Sequence, residues 1–130
     1  DIISQLSEEI QEQIRSERDG IIPKVLEYLN NNYHKEINLA DAARYVNLSY
    51  HYFSKIFKDE AGKNFSDYLT ELRIEKSMGF LKDHKISIKE VCFKIGYNDP
   101  NYYCKIFKKI TGMTPTEYRA VINIRGDDIG

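Results

Sequence analysis

Lysines and an asparagine set among aromatic residues are the side chains of this 130-residue chain best suited to specific polar contacts, and they recur. The segment Tyr52-Phe53-Ser54-Lys55-Ile56-Phe57-Lys58 returns fifty positions later as Tyr102-Tyr103-Cys104-Lys105-Ile106-Phe107-Lys108, and the match continues through Gly62 and Gly112 to Tyr68 and Tyr118. Upstream, Ile37-Asn38-Leu39-Ala40-Asp41-Ala42-Ala43 matches Ile86-Ser87-Ile88-Lys89-Glu90-Val91-Cys92 at an offset of forty-nine, so one residue is inserted between the blocks. The chemistry on offer is hydrogen bonding by cationic and amide donors. Catalytic chemistry finds no glycine-rich phosphate loop and no nucleophile elbow. His34, His51 and His84 have no ligand spacing with one another or with Cys92 and Cys104, so neither metal nor cofactor is expected.

Each copy reads as two helices around a turn, and the whole chain as all-α. Asn38 with Asp41, and Ser87 with Glu90, have the spacing of a capping box that starts a helix. These helices are expected to reach Val46 and Ile95, where Asn47 and Gly96 supply the left-handed conformation that ends them. The next helix opens after Ser49 in the first copy and after Asp99-Pro100 in the second. Ala42, Val46, Leu48, Phe53, Ile56 and Phe57 form one buried face, as do Val91, Ile95, Tyr97, Tyr103, Ile106 and Phe107, with Ala43 or Cys92 as the small residue at the crossing. Two short helices, a tight turn and a shared apolar wedge make a helix-turn-helix.

The expected architecture is a seven-helix body of two helix-turn-helix subdomains joined by a linker helix, with an extra N-terminal amphipathic helix. Its boundaries are 1–20 for the extension, 21–63 for the first subdomain, 64–84 for the linker, 85–119 for the second subdomain and 120–130 for a frayed tail. Asn64 and Asp67 cap the linker; Thr114-Pro115-Thr116-Glu117 opens the closing helix; a helix from about Ile22 to Tyr33, with Pro23 in its first turn, covers the first subdomain.

The net charge of −1 argues against a simple polyanion binder, but its distribution softens the objection. Residues 1–20 hold six acidic residues against two arginines, whereas residues 21–119 hold sixteen basic against twelve acidic, the surplus concentrating from Lys85 onward. No apolar run approaches the roughly 18 residues that a membrane span needs. Two cysteines do not make a disulfide framework, and a cytoplasmic setting is expected. The sequence opens on Asp1 rather than methionine, as a segment of a longer protein does, so an upstream sensing domain is expected.

Gly96-Tyr97-Asn98-Asp99-Pro100-Asn101-Tyr102-Tyr103, followed by Phe107-Lys108-Lys109, Thr111-Gly112, Thr114-Pro115 and Tyr118-Arg119, resembles the C-terminal signature of the AraC/XylS family of transcription regulators. Leu72-Arg73-Ile74 with Leu81 resembles the family's linker helix, although Ser77 and Gly79 stand where alanine is more usual. The Asn-Asp-Pro-Asn form is similar to response regulators of two-component systems. The resemblance implies double-stranded DNA as partner, with the second helix of each unit in the major groove, and activation or repression beside promoters, where RNA polymerase is the further partner.

On that footing the face opposite each buried stripe reads bases: Tyr50, His51, Ser54 and Lys55 in the first copy, Asn101, Tyr102, Cys104 and Lys105 in the second. Lys55 and Lys105 suit guanine, and Asn101 suits adenine. Lys58, Arg73, Lys108 and Lys109 are expected at phosphates, helped by the amides of the helices that start near Leu39 and Ile88. One chain with two heads is expected to span successive major grooves, about 10 bp apart. The competing class is a helical protein-interaction module, which has no reason to repeat a cationic helix face and two sets of caps. Ile3, Leu6, Ile10 and Ile14 mark one apolar face of the N-terminal helix, for which two readings stay open: a two-stranded coiled coil making a homodimer, or a helix folded back on its own body.

Overall fold

The computed structural model describes residues 2–129, and the side chains of all of these except 14–19 and 124–129. The described residues form seven helices: α1 Ile2–Asn32, α2 Leu39–Tyr45, α3 Tyr50–Ala61, α4 Phe65–Leu81, α5 Ile88–Lys94, α6 Pro100–Thr111 and α7 Pro115–Ile129. They divide into two compact units, one joining α1 as far as Asn31 to Ile37–Tyr68, the other joining Asn32–Glu36 to the chain from Leu69 onward. The boundary therefore falls inside α4 rather than at either end of the expected linker, and the short turn after α1 belongs with the second unit.

Two expected breaks are absent. The N-terminal extension and the covering helix run together as α1, with Pro23 inside it. Proline removes one hydrogen bond and crowds the preceding turn, but a helix already gripped by Ile22, Val25 and Leu29 in the core tolerates that loss. Likewise α7 continues past Ala120 to Ile129, so the backbone is helical where composition suggested a frayed tail. Gly126, Asp127 and Asp128 of that tail, and Ile14 of the apolar stripe, lie outside the described side chains. Ile3, Leu6 and Ile10 are exposed, so the described part of the stripe does not fold back on its own body.

In the first unit, Asn38 Oδ1 accepts from the Asp41 amide and the Asp41 carboxylate accepts from the Asn38 amide, both at 2.9 Å, which starts α2. The helix ends through Asn47 at φ 58°, the Leu48 amide reaching back to the Ala43 carbonyl at 2.9 Å. Phe53, Phe57 and Phe65 then pack ring against ring, with Phe57 and Phe65 centroids 5.6 Å apart and Tyr68 edge-on to Phe57 at 5.5 Å. Val25 and Leu29 of α1 are fully buried, and Tyr28 stacks on Tyr45 of α2.

The second unit starts and turns in a similar way. Ser87 Oγ accepts from the Glu90 amide, Gly96 turns the chain at φ 99°, and the Tyr97 amide donates to the Cys92 carbonyl at 3.1 Å. Ile74, Leu81, Val91, Cys92, Ile95, Tyr103 and Phe107 make its core, with Tyr118 edge-on to Phe107 at 5.5 Å. Arg119 ties the approach to α5, its Nε donating to the Leu81 carbonyl at 2.9 Å and its Nη2 to those of Asp83 and Ile86. In α4, Gly79 is exposed with open space around its α-carbon. Gly79→Ala is accordingly expected to raise stability by about 1 kcal/mol, measured by urea unfolding.

Tyr103 takes in the second core the place of Phe53 in the first, and its hydroxyl finds no partner in hydrogen-bonding geometry among the described residues. The polar neighbour, Ser77, is itself buried and donates to the Ile74 carbonyl at 2.7 Å. Burial pushes the Tyr103 phenol up to about 12, with Ser77 opposing only part of the shift. The unfolded phenol ionises first as pH rises, so the contribution is complete below pH 10 and disappears as pH climbs toward 12. Tyr103→Phe is expected to flatten stability against pH over that window and to cost nothing at neutral pH.

Candidate nucleic-acid interface

Burial of the inner faces decides what the second helix of each unit presents outward. In α6, Tyr103 and Phe107 are fully buried, while Asn101, Tyr102, Lys105, Lys108 and Lys109 are exposed. At about 100° per residue these five occupy a single arc of roughly 120° with Lys105 near its middle. In α3, Phe53, Ile56 and Phe57 are buried and Tyr50, His51, Tyr52, Lys55 and Lys58 are exposed. Tyr50 and His51 brace each other edge to face at 5.5 Å.

The caps fix where each face begins. Ser49 Oγ accepts from the Tyr52 amide at 3.3 Å, and Asp99 Oδ1 accepts from the Asn101 amide at 3.0 Å with Pro100 in the first turn. Gly62 and Gly112 close the far ends, at φ 80° and 85°, with amides bonded to the Lys58 and Lys108 carbonyls. The two faces are unequal in charge. Asp59 and Glu60 follow Lys58 in α3, whereas Lys109 and Ile110 stand at those places in α6, which contains no acidic residue. Attraction for a polyanion is concentrated on α6.

Three of the expected site residues are placed elsewhere. Arg73, expected at phosphate, turns inward: its Nε donates to the Tyr33 carbonyl at 2.8 Å and its Nη2 to the Lys35 carbonyl at 2.9 Å, and its guanidinium lies 5.2 Å from the Tyr97 ring centroid. With those donors engaged it holds the turn after α1 in place. Cys104, expected among the base readers, is half-buried against the second core, and burial pushes its thiol up, away from a reactive thiolate. Ser54, its counterpart in α3, is half-buried too. Tyr52 was missed by sequence reasoning although it is 45% exposed, and the signal was available, because it is the repeat equivalent of Tyr102.

At the starts of the first helices, the amides of Asp41 and Glu90 are already held by Asn38 and Ser87. Among the described residues no cluster of histidine, cysteine and carboxylate side chains could hold a metal, and no helix is long and apolar enough to cross a membrane.

Two helix-turn-helix units in one chain, each with an aromatic inner face and an outward face rich in lysine, define a tandem helix-turn-helix DNA-binding domain. The family described as "Helix-turn-helix domain" matches residues 42–120, and the chain belongs to its AraC-type members. It is 30% identical over 107 residues to the uncharacterized HTH-type transcriptional regulator YijO of Escherichia coli, covering 82% of this chain and 38% of that protein. The C-terminal domain of AraT, a response regulator from Geobacillus stearothermophilus, superimposes with a TM-score of 0.74 at 29% identity, over 78% of this chain and 84% of that one. The DNA-binding domain of AdpA, solved with a target DNA, shares the fold at a TM-score of 0.75 and 21% identity, over 79% of this chain and 93% of that one. The chain spans 38% of the length of YijO and 19% of that of YesN from Bacillus subtilis.

Proposed function

We propose that the chain reads double-stranded DNA by sequence through α3 and α6, one stretch of major groove to each, and that the protein carrying it controls transcription. The observation that supports this most directly is the duplicated outward face, with Lys55 and Lys58 repeated as Lys105 and Lys108 above buried aromatic faces. Tyr50, His51, Lys55, Asn101, Tyr102 and Lys105 are the base-reading side chains, and Lys58, Lys108 and Lys109 meet phosphate. The chain is a binding module and not an enzyme, working in the cytoplasm with RNA polymerase as the further partner of its parent protein. The exposed Ile3, Leu6 and Ile10 stripe favours a homodimer formed through the first part of α1. The AraT likeness supports a place at the output end of a two-component system.

Binding to mixed genomic DNA at two salt concentrations tests the proposal against a protein-interaction module. With about three phosphates neutralised, affinity is expected to fall roughly fortyfold between 50 and 200 mM salt. A flat response would favour the interaction module.

A further inference from the structure

Tyr102 is 49% exposed on α6, and one neighbouring ring packs against it. It meets Tyr97 edge to face, with centroids 5.5 Å apart at 74°. Tyr97 is held in turn from two sides, stacked over the buried Tyr103 at 6.4 Å and carrying the Arg73 guanidinium 5.2 Å from its centroid. Arg73 is anchored by the carbonyls of Tyr33 and Lys35. Gly96 makes room for this packing, since a β-carbon there would stand 3.2 Å from the guanidinium. A chain of contacts therefore runs from the turn after α1 to the outward face of α6. The first unit lacks it, for Leu48 stands at the place of Tyr97.

A ring fixed on one edge and open on the other offers an apolar surface on a face otherwise made of Asn101 and lysines. The apolar group that major-groove base edges present is the C5-methyl of thymine. A ring already ordered loses little conformational entropy on contact, so the methyl contact keeps its full worth. We propose, resting on the reading of α6 as a DNA-contacting helix, that Arg73 and Tyr97 are positioning residues holding Tyr102 against a thymine methyl, which makes Tyr102 a specificity determinant of the second unit alone.

The test uses a duplex selected by the chain from a random pool, with each thymine under the α6 footprint replaced singly by deoxyuridine. That change removes the methyl and keeps the hydrogen-bonding edge. One replacement is expected to weaken binding about fourfold, the worth of one buried methyl. Tyr102→Ala and Tyr97→Leu, the latter supplying the first unit's residue, should abolish that difference, while Tyr97→Phe, which keeps the ring, should retain it. All three variants should keep the parent's helical circular dichroism spectrum, which separates positioning from unfolding. Persistence of the difference in Tyr102→Ala or Tyr97→Leu overturns the proposal, and so does its loss in Tyr97→Phe. Indifference to every deoxyuridine overturns it as well, if the selected duplex is still preferred to random DNA. Absence of that preference would instead remove the underlying reading of α6.

Discussion

Lys105→Ala is expected to strip the chain of most of its preference for a selected duplex while barely changing its affinity for random DNA. Lys105 sits exposed near the middle of the α6 arc, one turn on from Asn101, where a side chain entering the major groove reaches base edges. A good contact with guanine discriminates by about 1 to 3 kcal/mol, or roughly five- to 150-fold. Lys108→Ala and Lys109→Ala should behave oppositely, weakening selected and random duplexes alike and each reducing the salt slope by about one. Competition binding with both duplexes at two salt concentrations reads all three. Equal losses on both duplexes for Lys105→Ala would reduce this lysine to a phosphate contact.

Gly96→Ala should be the most damaging small substitution in the second unit. At φ 99° an alanine is already strained, and its β-carbon would stand 3.1 Å from the carbonyls of both Tyr33 and His34 as well as close to Arg73. Backbone oxygens cannot step aside as a flexible side chain can, so the expected cost is about 3 kcal/mol, above the ~1 to 2 kcal/mol of left-handed strain alone. Gly112→Ala is the control, since Gly112 has φ 85° but open space within 4 Å, and only the strain should be lost. Urea unfolding of both variants separates the two contributions. Equal costs would mean that the backbone after α1 does not approach Gly96.

The elements that hold the reading faces were legible because their signals are local. Asn38 with Asp41, Ser87 before Glu90, Asn47 and Gly96 at the turns, and Pro100 after Asp99 each act within a few residues, and each stands where the spacing placed it. What escaped depends on partners far along the chain. Pro23 read as the first turn of a new helix, yet core contacts of Ile22, Val25 and Leu29 carry α1 across it. Arg73 looked like a surface cation because the carbonyls it binds lie 38 and 40 residues upstream. One clue was present: Leu69, Arg73, Ser77 and Leu81 form a row at intervals of four, and the other three are buried. Cys104 looked outward-facing by its neighbours, and only packing against the second core shows it half-buried.

The most direct measurement is a footprint of the chain on a duplex it has selected from a random pool, with guanine N7 methylation to report the major groove. Two protected stretches about one helical turn apart are expected, the stretch under α6 fading in Lys105→Ala and the stretch under α3 in Lys55→Ala. A single protected stretch, or protection indifferent to both lysines, would contradict the account.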